Sequence, residues 1–256
     1  MKELLKSNFI SRWQKNFPEA QLPFVVFYSN ELHESTPAEK HEGHRCIIAD
    51  LTKVSRGSSL AFNASNIGCG GGNRYCGFSK NLRPGFEYFL SYGKSDMEGE
   101  RYKKNPEIVL DLMNNSARIE TTKKWLIAKP FDKINENDNP QAVIFFANPD
   151  VLSGLFTLAN FDRTDHYAVK TPFSAGCGSI IQFPILENKK ENQDCFLGMF
   201  DVSARPYVPA NVLSFGIPIK RFETLVSYMD ESFMITDSWK NVSKRISKGN
   251  SIKYDG

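Results

Sequence analysis

What this chain lacks narrows it first. No stretch approaches the roughly 18 consecutive apolar residues of a membrane span, so no membrane partner is expected. The opening residues, Met1 to Ile10, carry none of the apolar core that marks a signal peptide. A cytoplasmic setting, in which thiols stay reduced, is the expectation. Charge of one sign is also scarce: 32 Lys and Arg stand against 29 Asp and Glu, a net +3. No basic cluster large enough to form a face stands out, which argues against a nucleic-acid partner. The densest basic stretch, Lys240 to Lys253, is interleaved with Ser and Asn and reads as a solvated tail over 241–256. Histidine is rare, at four residues, and the five cysteines include no C-x2-C pair. The common zinc spacings are therefore missing, and an odd thiol count argues against a disulfide framework.

What is present suffices for one large domain over 1–256, since 41% of the residues are hydrophobic. Residues 3–17 show a helical apolar stripe (Leu4, Leu5, Phe9, Ile10, Trp13, Phe17). Leu22–Tyr28, Cys46–Asp50, Ser59–Asn63, Trp125–Ala128, Ala142–Ala147, Ile180–Leu186, Cys195–Phe200 and Val212–Ile217 read as strands. Helices are expected over 106–116, where Pro106 suits a first helical position, from Asn148-Pro149-Asp150 to Leu158, and over Arg221–Phe233. The resulting class is α/β or α+β with mixed sheets. Val25-Val-Phe-Tyr-Ser-Asn30 echoes Val143-Ile-Phe-Phe-Ala-Asn148, and each is followed by a Gly-Cys-Gly turn. Two similar, intertwined halves, 1–135 and 140–240, would account for that, with Lys133–Pro140 as the connection.

The chemistry concentrates at Gly68-Cys69-Gly70-Gly71-Gly72 and Gly176-Cys177-Gly178. Glycine removes the Cβ barrier to positive φ, so these turns can bend sharply and aim amides at one point. Soft thiolates from Cys46, Cys69, Cys177 and either Cys76 or Cys195 suit an iron–sulfur cluster or zinc. The alternative is a non-enzymatic site for a small acidic ligand, with the amides of Gly70, Gly71 and Gly72 joined by Arg74, Arg56 and Arg205. A thiol nucleophile is a third option, with Cys69 activated by His166 and oriented by Asp165 or Asp201. Partners would be a small molecule or a redox protein.

At Cys46, Cys69-Gly-Gly-Gly72 and Cys177 the chain resembles the uncharacterised ArCR family of archaeal and bacterial proteins. The likeness extends to the apolar strand after the first helix, to Asn148-Pro149-Asp150, and to the helix start at Pro218. The resemblance implies a fold more than a function, because the family has no assigned reaction. It also implies a fourth cysteine after a Leu-Gly pair. This chain reads Leu197-Gly198-Met199 there, a thioether in place of the thiolate.

Overall fold

Apolar runs without polar alternation make the middle of the molecule. The computed structural model describes residues 3–248, and in it β1 (Phe24–Ser29) and β5 (Ala142–Ala147) lie side by side at the centre of a sheet. Every residue of β5 is buried, as expected for a strand covered on both faces. The remaining strands are β2 (Thr36–Pro37), β3 (Leu60–Phe62), β4 (Trp125–Pro130), β6 (Val169–Lys170), β7 (Cys195–Gly198) and β8 (Leu213–Pro218). They line up as β2-β3-β4-β1-β5-β8-β7-β6. The order reads the same from either edge: each half is a parallel edge pair followed by antiparallel neighbours.

Val25 faces Val143 at the midline. Counting outward along the registers, Ser29 corresponds to Ala147, Lys129 to Ile217, Ala128 to Gly216 and Phe62 to Gly198.

Strand periodicity sorts the side chains into two layers. Val25, Phe27, Ile127, Val143, Phe145 and Phe215 point to one face. That face is covered by α1 (Glu3–Asn16), α6 (Pro149–Ala159), α8 (Ile219–Tyr228) and α9 (Asp237–Ser247), through Phe9, Trp13, Leu155, Phe222 and Trp239. Phe24, Val26, Leu126, Ala128, Ile144 and Phe146 point to the other face. Covering it are α2 (Ile47–Ser55) and a helical run formed by a π-turn at Gly178–Gln182 and α7 (Phe183–Glu187). Short helices α3 (Gly70–Tyr75) and α4 (Phe86–Leu90), with α5 (Pro106–Asn115), complete that side. Helix starts follow the chemistry of their caps. Asn105 and Asn148 each accept the amide three residues on, and each is followed by a proline that has no amide to satisfy.

Three expectations are corrected. Cys46–Asp50 is not a strand. Cys46 is the N-cap of α2, whose buried Ile47, Ile48, Leu51 and Val54 recur at helical spacing once the window extends past Asp50. Ile180–Leu186 is helical as well, with Pro184 in the first turn of α7, where no donor is lost. A short buried apolar run has no periodicity to separate the two states. The chain does not leave the core at 241, because α9 continues to Ser247 and buries Ile246. Residues 249–256 of the expected tail lie outside the described residues.

Candidate functional site

The connections after β2 and β6 each begin a helix with a cysteine, Cys46 before α2 and Cys177 before the π-turn. These two are the topological equivalents of one another. The two Gly-Cys-Gly turns are not, since Cys69 follows β3 whereas Cys177 precedes β7. Cys69 caps α3 and reaches the same place from a third segment. Together Cys46, Cys69 and Cys177 line one cavity of about 230 Å³.

Local sequence explains how Cys69 gets there. Its Sγ accepts the Gly72 amide at 3.2 Å. A Cβ on Gly72 would lie 2.8 Å from that sulfur and 2.8 Å from the Ile67 side chain, so only glycine admits the contact. Gly70 and Gly71 face open space. Cys76 closes α3 and is fully buried beside the cavity, its carbonyl accepting the Tyr28 hydroxyl at 2.8 Å.

Burial raises the Cys46 thiol to about 12, against a pull from the Ile48 amide, with Cys69 and Asp201 adding to the rise. Cys177 is pushed well above the ordinary thiol value, by burial first and then by Cys76, Cys69 and Cys46. Cys76 moves the same way, from burial and then from Cys69 and Cys46. Cys46, Cys76 and Cys177 thus each sense Cys69 across one small region. Opposite the thiols the walls are aromatic and aliphatic: Tyr75, Phe86, Phe89, Met113, Phe173 and Phe200. Asp201 supplies a fixed carboxylate at the rim, accepting the Gly176 amide at 3.0 Å and the Ser203 hydroxyl at 2.8 Å.

Other expected site residues lie elsewhere. Cys195 is buried in the opposite layer, and burial raises its thiol to about 12 while Arg221 opposes. Arg74 spends its guanidinium on the carbonyls of Lys80 and Met113. Arg205 spends its own on the carbonyls of Val212, Pro209 and Ala210. Arg56 ends α2, about 15 Å along the helix from Cys46 at the usual rise per residue. None of the three arginines lines the cavity. His166 is exposed and outside it, while His44 is the histidine at its wall. The apolar lining from α4 and α5 was missed by sequence reasoning. Its signal is the density of apolar residues in Phe86–Leu90, which no expected element claimed, and in Leu112-Met113, which lies in the helix expected over 106–116 but was not tied to a site.

Thiolates suit an iron–sulfur cluster or zinc in donor type. Around a single zinc ion, sulfurs about 2.3 Å from the metal sit about 3.8 Å from one another. Among the described residues no group of three or more His, Cys, Asp or Glu is arranged to hold one metal ion. Among the described residues, too, no helix is long and apolar enough to cross a membrane.

A family model, DUF169, described as Uncharacterised ArCR, matches residues 20–228, a span that takes in the whole sheet and all five cysteines. No curated protein and no solved structure matches the chain.

Proposed function

The chain belongs to the uncharacterised ArCR family, and from that premise we propose that it binds an iron–sulfur cluster through Cys46, Cys69 and Cys177. One observation carries the reading. Three of only five cysteines arrive at one cavity wall from three separate chain segments, with a fourth, Cys76, directly behind. Packing thiols have no reason to converge so. Cys195, alone in the opposite layer, shows what a packing thiol looks like here.

The donor set supports a polynuclear cluster over one ion, because a cluster spreads its ligand sulfurs more widely than the tetrahedron around zinc. When bound, such a cluster supplies electron transfer or a Lewis-acidic iron. The chain's own residues then have definite tasks. The Gly72 amide donates to the Cys69 sulfur, and such hydrogen bonds are one lever on cluster potential. Phe86, Phe89 and Phe173 give the cavity that the thiols line an apolar wall. Met199, at the place where the resemblance implies a cysteine, is buried with its thioether against Gly176, the residue before Cys177.

A second reading draws on the aromatic wall: a binding protein without chemistry. Its ligand would have an apolar body, because Arg74 and Arg205 are already committed to backbone carbonyls. Purification without oxygen, a visible spectrum, and iron and sulfide assays separate the two. The cluster reading expects a brown protein that loses its iron in Cys69→Ser and Cys177→Ser and keeps it in Cys195→Ser. A colourless, iron-free protein after reconstitution with iron and sulfide would overturn it.

A further inference from the structure

We propose that Ser29, His33 and Asp138 form a second site, independent of the thiols, in which Ser29 is a nucleophile toward carboxylic esters with an apolar acyl group. Ser29 ends β1 half-buried, and its Oγ lies 2.8 Å from His33 Nε2. His33 Nδ1 lies 2.9 Å from Asp138 Oδ1. The Asp138 side chain is wholly buried and its second oxygen accepts Lys129 Nζ and the Asn135 amide, both at 2.9 Å. That carboxylate accepts the Nδ1 proton of His33. The tautomer this selects leaves Nε2 free to accept the Ser29 hydroxyl. Nucleophile, base and orienter are thus in the order and at the separations that acyl transfer requires.

Two further observations set this apart from loop packing. His33 and Glu34 both have left-handed backbones, φ 49° and 60°, although neither is glycine. Strain of this kind is held where it aims a functional group, and here the ring it aims stands edge-on against Phe27 at 5.2 Å. The other half of the sheet supplies the control. Ala147 stands where Ser29 does and Ile217 where Lys129 does, both buried and apolar. The strand pairing therefore forms there without a hydroxyl in the place of Ser29 or an ammonium in the place of Lys129.

Trp125 is the cross-strand partner of Ser29, so its indole shares the same face, half-buried, with Lys124 Nζ 5.3 Å from the ring centroid. This gives an acyl group an apolar wall beside the hydroxyl. In the step, Oγ bonds to the ester carbonyl carbon as its proton passes to Nε2. The carbon–oxygen ester bond then breaks, and the departing alcohol takes that proton. Water repeats the sequence on the acyl-serine, releasing the acid and restoring Ser29. Water is the only co-reactant.

The test is covalent labelling with an alkyl fluorophosphonate, read by intact mass and peptide mapping, alongside hydrolysis of p-nitrophenyl butyrate. One adduct per chain is expected at Ser29. It disappears in Ser29→Ala at unchanged melting temperature, and its rate falls about 100-fold in His33→Gln. Asp138 acts through His33. In Asp138→Asn, assayed below its own melting transition, the pH midpoint of labelling moves down because the imidazolium loses its anionic partner. A midpoint that stays put would assign Asp138 to structure alone. Cys69→Ser leaves the adduct in place. No adduct, or an adduct undiminished in Ser29→Ala, overturns the proposal.

Discussion

The half of the sheet built on β1 and the half built on β5 share their pairing pattern and differ in what stands on it. In the first half, Phe62 and Ala128 fill the space under α2, whose Ile48 and Leu51 lie in the same packed layer. In the second, the equivalent positions are Gly198 and Gly216. A Cβ on Gly216 would lie 2.6 Å from the Pro184 ring, and one on Gly198 would overlap the Ser179 side chain. The π-turn and α7 therefore press closer to their strands than a side chain would permit. One backbone pattern accommodates two helix heights, and the residue size on the strand sets which.

Opposite substitutions break that comparison, and the largest effect is expected in the first half. Phe62→Ala removes a ring that is 1% exposed and should cost about 3–5 kcal/mol in denaturant unfolding. Gly198→Ala adds a single methyl and should cost about 1–3 kcal/mol through overpacking. A neutral Gly198→Ala would show that Ser179 can withdraw and that the close approach is not what holds the second half.

A second difference is chemical. Cys195 stands where the first half has Ser59, one residue before the paired Leu60 and Phe196. Burial raises the Cys195 thiol to about 12, so the folded state favours its neutral form. The sign follows. The stabilisation is complete below the unfolded thiol value of about 8.5 and is lost as pH climbs from there toward the folded value, at about 1.4 kcal/mol per pH unit. Between about pH 8.5 and pH 10 the wild type should lose about 2 kcal/mol more than Cys195→Ala. Equal losses in the two proteins would mean that the Cys195 thiol ionises over the same range folded as unfolded, so that burial does not hold it neutral.

The smallest effect sharpens the comparison between Cys46 and Cys177, the equivalent helix starts. Serine is the better N-cap, so Cys46→Ser should change unfolding stability by less than about 1 kcal/mol while abolishing bound iron. A large loss of stability would return Cys46 to a packing role.

Much of the sheet was legible in the chain, for a physical reason. Val25 to Phe27 and Val143 to Phe146 are β-branched and aromatic without a polar break, which only a doubly covered strand tolerates. Asn105-Pro106 and Asn148-Pro149 announce their helices by capping chemistry that acts within four residues. Cys46-Ile-Ile and Ile180-Ile-Gln-Phe were opaque, because two or three adjacent apolar residues fit a buried helix as well as a strand. The site was legible in part. Glycine around Cys69 predicts a sharply bent turn; the stretch instead starts α3 with none of its glycines at positive φ, and it is the Gly72 amide that meets the Cys69 sulfur. The destinations of Arg74 and Arg205 were not legible, since their carbonyl partners are set by where loops end.

By itself, then, the sequence determined what local forces decide: the apolar strands, the capped helices, the glycines that let Cys69 turn its sulfur onto an amide. Tertiary structure alone decided which thiols meet. Cys46, Cys69 and Cys177 are separated by 23 and 108 positions along the chain and share a wall because the segments that carry them pack in one layer on the same face of the sheet. Cys195 shows no less thiol to a reader of the sequence, yet strand alternation turns it to the opposite face. Convergence of that kind depends on register and layer, which are properties of the packed sheet and of no segment within it.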